Sequence, residues 1–206
     1  MSGSGGTGVR GGRHGQDSRQ DVRTDLLRQA AEWRLIGLLF EPPDESWREE
    51  VRSLGETQAD ETLRLAAEWA QHEATPGLYH STFGPGGPVS PREVAYQNLI
   101  LPGALVSEIE GYYAAFGYAP RGDEPPDHIA VEAGFIGYLR LKEAYALSRD
   151  EASAAAVAAE AAQRFLREHL AVAAQPLAAA LADSPSRYLA IAATALRRSA
   201  EQPVST

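Results

Sequence analysis

Cysteine is absent from all 206 residues. That removes disulfides, thiolate catalysis, iron–sulfur ligation and cysteine-type zinc sites from consideration. No uninterrupted apolar run is long enough to span a bilayer. The arginines near the N-terminus have no apolar stretch behind them of the kind a secretory signal carries. Stable membrane insertion is therefore not expected, and a cytoplasmic location is the default expectation. Apolar–polar alternation of strand length is missing, and so is any repeat of fixed period. Positive charge is in short supply: 19 Lys and Arg stand against 28 Asp and Glu, for a net charge of −9. Such a body repels phosphates, so nucleic acid is not an expected partner. It suits a basic partner, such as a peptide carrying arginines.

What is present reads as helix after helix. Residues 1–20 are Gly-, Ser- and Arg-rich and hold almost no large apolar side chain, which predicts a disordered tail. A first helix is expected from Asp21 or Thr24 to about Phe40, apolar all round from Trp33 onward and stopped by Pro42-Pro43. Asp44 or Ser46 caps a short second helix with Trp47, Val51 and Leu54 on one face. A third runs from about Asp60 to Ala74, with Thr75-Pro76-Gly77 read as its end. Leu78 to Val89 reads as a loop. Ser90, Pro91 and Glu93 make a capping box with the favoured proline, predicting a helix that breaks at Pro102-Gly103. Another helix ends at Gly117, and a nearly wholly apolar one follows from Asp127, expected as N-cap, to about Leu147. Ser148 with Glu151 forms a second capping box, Pro176 is expected to interrupt or kink the next helix, and a last helix spans about Ser186 to Arg198. The fold class read from these signals is all-α, one helical domain over residues 21–198, with a frayed tail at 199–206.

Chemistry concentrates at Glu124-Pro125-Pro126-Asp127-His128, at the mouth of the apolar helix. Two prolines hold the backbone extended there, so two acids and a histidine are presented in fixed positions. His128 and Glu132 lie four apart, a spacing compatible with two metal ligands, but no further pair is placed to close a site. Asp127-His128 invites an acid–base reading. Its plainer counterpart makes Asp127 a helix cap and His128 a polar residue over the first turn. Gly84-Pro85-Gly86-Gly87 lacks the lysine and preceding strand of a phosphate loop and reads as a turn-rich linker. Trp33, Phe40, Tyr112, Tyr113 and Phe116 stand at helical spacing, either as plain core or as the walls of a groove for an apolar peptide helix.

Glu124-Pro125-x-Asp127-His128 resembles the hallmark loop of the TorD/DmsD/NarJ family of redox-enzyme maturation chaperones. Phe83-Gly84-Pro85 followed by Ser90-Pro91-Arg92-Glu93-Val94-Ala95-Tyr96 is similar to that family's Gly-Pro…Ser-Pro-x-Glu-Ser-x-Tyr segment. Tyr113 with Gly117, Leu39-Phe40 and His169-Leu170 resemble further family positions. Ile36, where an aromatic is usual, Ala95 for a common serine, and Ala173-Ala174 depart from the pattern. The resemblance implies an all-helical, non-enzymatic cytoplasmic chaperone with no cofactor of its own. Its partners would be the precursor of a molybdopterin-dependent catalytic subunit of the dimethyl-sulfoxide-reductase type and its twin-arginine leader. Proteins of molybdenum-cofactor biosynthesis join that partner set, and the chain would be a monomer or homodimer. It also implies a peptide site. There Glu124 and Asp127 would pair the leader's arginines while Pro125 and Pro126 hold them in place. His128, Trp33 and Phe40 would face its apolar part, with Leu39, Tyr113 and Glu132 completing the set. Two other classes stay open at this point. One is a structural or assembly subunit of a redox complex; the other is a helical metal-dependent enzyme using Asp127, His128 and Glu132.

Overall fold

The two stretches that are apolar on every side become the centre of the molecule. The structure is a computed structural model that describes residues 11–97 and 101–201, with side chains from residue 19 onward. Helix α1 (Gly11–Leu39) and helix α6 (Ile129–Ser148) pack along each other in opposite directions. Their contact is close because glycine allows it. A Cβ on Gly37 would stand 2.9 Å from the carbonyl oxygen of Ala130, and one on Gly137 would stand 3.1 Å from that of Ala30. Leu35, Ile36, Leu39 and Phe40 of the first stretch, and Ile129, Ala133, Phe135 and Leu139 of the second, are wholly buried. An all-round apolar helix needs cover on every side, and the remaining helices supply it. They are α2 (Trp47–Glu56), α3 (Glu61–Glu73), α4 (Pro76–Phe83), α5 (Pro102–Phe116), α7 (Ala152–Phe165), α8 (Ala171–Leu181) and α9 (Arg187–Glu201). Helix α7 lies against α6, and α9 lies between α3 and α8. The fold is all-α; among the described residues the only extended pairing is a single antiparallel bridge between Arg92 and His128.

Several helix ends follow the expected chemistry. The Asp44 carboxylate accepts from the amides of Ser46 and Trp47, each at 2.8 Å, and Asp60 accepts from Leu63 at 2.8 Å. Gly117 ends α5 with φ 67°, the left-handed position that favours glycine. Other expectations need correction. Thr75-Pro76-Gly77 closes α3 but also opens α4, a helix inside the segment read as loop. The Thr75 hydroxyl accepts from Leu78 at 3.0 Å and Pro76 takes the first position, so these residues act as a start signal. The box at Ser148 and Glu151 does not form: α6 runs through Ser148, Asp150 turns the chain at φ 58°, and α7 begins at Ala152 without a side-chain cap. Helix α8 continues through Pro176, and the departure from α-helical winding comes earlier, as a π-helical turn at Leu166–Leu170. Helix α1 begins at Gly11, ten residues before Asp21, as propagation of an existing helix costs less than starting one. Of the expected tails, residues 1–10 and 202–206 lie outside the described residues, as do residues 98–100 of the helix expected after Ser90.

Candidate functional site

The capping box at Ser90 is spent on tertiary contacts, and this builds the site. Instead of a helix, residues Glu93–Tyr96 form one 3-10 turn, held against the start of α6. The Glu93 amide donates to the Asp127 carbonyl at 2.8 Å, and the Ile129 amide donates to the Pro91 carbonyl at 2.9 Å. Tyr96 closes this strap, residues 90–96, on itself, its hydroxyl donating to the Ser90 carbonyl at 2.5 Å. The Arg92 guanidinium binds the Asp127 carboxylate through Nε at 2.9 Å and Nη2 at 2.7 Å, and the Val94 amide adds a donor at 3.3 Å. Asp127 is fully buried. It therefore ties the strap down and does not cap α6.

The cap of α6 is His128. Its Nδ1 accepts from the Ala130 amide at 3.1 Å, so in the neutral ring the proton sits on Nε2. That nitrogen stands 3.2 Å from the Tyr79 hydroxyl, which donates to Glu124 Oε1 at 3.0 Å. Burial pushes the His128 pKa down to about 4, with the charge of Glu124 offsetting part of the effect. The histidine is neutral at physiological pH and passes one hydrogen-bond chain outward to Glu124. Tyr113 anchors the loop from below. Its ring packs on Phe135 at 4.8 Å between centroids, and its hydroxyl donates to the Pro126 carbonyl at 2.8 Å.

On the inner side a second polar group forms that sequence spacing did not reveal. Glu93, Glu132 and His169 are all buried, with His169 Nδ1 3.2 Å from Glu93 Oε2 and Gln97 donating to the other Glu93 oxygen. Among the described residues, neither carboxylate oxygen of Glu132 has a hydrogen-bond partner. Burial, then the charge of Glu93, raises the Glu132 carboxyl well above its ordinary value, so it holds a proton where exposed glutamates do not. The π-helical turn carries His169 here. One extra residue per turn rotates everything after it by about 100°.

The outer side opens into a cavity of about 720 Å³ between α1, α2, α6 and the loop 117–128. Its apolar lining comes from Leu54, Tyr118, Pro120, Val131, Tyr138 and Leu141. Gly134 makes room for Tyr118, whose hydroxyl would lie 2.6 Å from a Cβ there. Its charged lining is Arg34, Glu41, Glu49, Glu50, Arg121 and Glu124. Arg34 of α1 bonds Glu41, in the turn after α1, at 2.6 Å and Glu50 of α2 at 2.7 Å, and the second bond clamps α1 to α2. Burial raises the Glu41 carboxyl above its ordinary value, against the pull of Arg34.

Of the residues singled out from the sequence, only Glu124 lines this cavity, with Pro125 and Pro126 half-buried beside it. Asp127 and His128 are buried beneath. Glu132 faces the strap, so His128 and Glu132 do not converge despite their spacing. Trp33, Phe40 and Tyr113 belong to the core, the plainer of the two readings open to them, with Tyr112 and Phe116 packed half-buried against it; Leu39 is core as well. Sequence inspection missed Tyr79, Arg92, Glu93, His169, Arg34 and Tyr118. A usable signal existed for three of them, since Arg92-Glu93 lie inside the Ser-Pro-x-Glu segment and His169 opens the His-Leu pair.

Compared with known proteins, residues 41–178, roughly two thirds of the chain, match the family model described as the nitrate reductase delta subunit. Both the strap and the loop at 124–128 lie within that span, whereas α1 and α9 lie outside it. No curated protein and no solved structure matches the chain.

Proposed function

The chain belongs to the nitrate reductase delta subunit family, a family of molybdoenzyme maturation chaperones, and on that premise we propose that it receives the twin-arginine leader of a molybdopterin-dependent precursor in the cavity beside Glu124. It holds the catalytic subunit in the cytoplasm until the cofactor is in place. The observation that carries this reading is the cavity itself. It joins an apolar floor to an acidic rim at the hallmark loop, and a leader joins an apolar stretch to guanidiniums. The apolar track continues outward. Leu27 lies one turn before Ala30 on α1 and Tyr145 one turn after Leu141 on α6, and both are exposed. Binding a segment of the client rather than transforming it agrees with the buried, capped state of His128. No helix among the described residues is long and apolar enough to cross a membrane.

Calorimetric titration with a twin-arginine leader peptide, at low and at moderate salt, tests the reading. Saturable binding that weakens with salt is expected, because rim carboxylates are screened. Absence of binding to any such leader, with the helical fold intact, would overturn leader recognition and leave the precursor body as the surface to be tested.

A further inference from the structure

The acids around the cavity are not equally available. Glu41 and Glu50 already share Arg34, and Glu50 also faces Arg121 at 3.5 Å. Glu49 pairs with Arg52 at 2.6 Å. Glu124 is different. Its partners are the Tyr79 hydroxyl at 3.0 Å and the His128 Nε2 at 3.6 Å, and that imidazole is neutral, so no cation compensates it among the described residues. Its side chain is 28% exposed, enough to be reached from the cavity and enough shelter to make a charge-assisted bond count. The lining therefore carries one unmatched negative charge beside an apolar floor. The second position an arginine would want is occupied by the chain's own Arg34.

We infer that the cavity seats one cationic side chain at a time, against Glu124, and that Glu124 is the specificity-determining residue for it. The inference rests on the reading of the cavity as the client site and narrows it. A leader with two adjacent guanidiniums places one against Glu124, while the other stays in solvent at the rim. Asp127 takes no part in that contact, because Arg92 and the Val94 amide hold its oxygens.

Two measurements test this. In the first, a leader peptide, its two single Arg→Gln forms and the double form are titrated into the wild type and Glu124→Gln. One single substitution should weaken binding to the wild type about tenfold to a hundredfold, the range for one charge-assisted hydrogen bond, while the other costs about threefold or less. In Glu124→Gln the larger loss should vanish, since peptide and protein substitutions remove the same contact. Equal losses for both arginines that persist in Glu124→Gln would overturn the inference and leave the client site standing. In the second, butylguanidinium is titrated and followed by amide NMR. Saturable shifts at Glu124 and Val131 that disappear in Glu124→Gln and survive in Glu56→Gln, a charge-matched control outside the cavity, are expected. If no leader binds, the client reading fails while this second titration still decides the socket. Absence of saturable shifts in the wild type overturns it.

Discussion

Glu124 and Asp127 stand three residues apart in one loop and have opposite surroundings. Glu124 faces a cavity and has no cation beside it among the described residues; Asp127 is sealed under the strap and holds Arg92 by two bonds. Pro125 and Pro126 separate them, with Tyr113 gripping the Pro126 carbonyl. The lesson is that a short loop of charged residues can divide its labour. One acid holds the loop by its bonds to Arg92, which leaves the other to face the cavity.

The sharpest way to expose that division is to cut the inner tie. Arg92→Ala leaves a carboxylate buried with one backbone donor. Because the Arg92 side chain is itself 40% exposed, the cost should sit near the low end for a broken buried pair, about 3 kcal/mol by urea unfolding. Asp127→Ala leaves an arginine that turns to water and should cost about 2 kcal/mol. A loss below about 0.5 kcal/mol for both would refute the structural role of the inner half.

The next effect is set by pH. His128 has a folded-state pKa of about 4 against an ordinary 6.5. The folded protein thus binds fewer protons than the unfolded chain between those values. Stability from this group is complete above about pH 6.5 and is lost as pH falls through about 4, by about 3 kcal/mol. His128→Asn keeps a capping side chain and should flatten that acid slope. Unfolding midpoints of the two proteins between pH 4 and 7 that stay parallel would contradict the assignment.

Glu132 has the opposite sign. Its folded-state pKa is raised above 4.5, so the folded protein keeps a proton the unfolded chain gives up. That contribution is full below the ordinary value and declines as pH rises, by up to ~1.4 kcal/mol per pH unit across the window between the two values. Glu132→Gln should remove the decline, and its advantage over the wild type should grow from pH 5 to pH 8.

Tyr79→Phe removes the link between the two halves. A loss of about 1 kcal/mol in stability is expected, the typical worth of one hydrogen bond. The smallest stability effect belongs to Glu124→Gln, expected within about 0.5 kcal/mol of wild type, because the glutamine amide oxygen still accepts from the Tyr79 hydroxyl. A large destabilisation there would make Glu124 a second structural acid and erase the contrast with Asp127.

The helical class and the family were legible in the sequence, and so was the loop on which the candidate site is built. Long all-round apolar runs admit little besides buried helices, and Gly117 or Asp60 act through neighbours a few residues away. The failures share a cause. Ser90-Pro91-x-Glu93 carries every local signal of a helix start, yet Glu93 faces His169, 76 residues on. The Ser148 box yields to a turn at Asp150. Asp127 looked like a cap because its nearest amides were local; its partner is Arg92, 35 residues earlier.

From composition and spacing alone came the absence of thiol chemistry, the all-α class, the helix-centred core and the presence of a rigid acidic loop, because these depend on interactions within a few residues. Tertiary structure alone decided which acid of that loop is free. A carboxylate's availability depends on which cations and donors the fold brings within about 3 Å. Arg92 reaches Asp127, Arg34 reaches Glu41 and Glu50, and no cation among the described residues reaches Glu124.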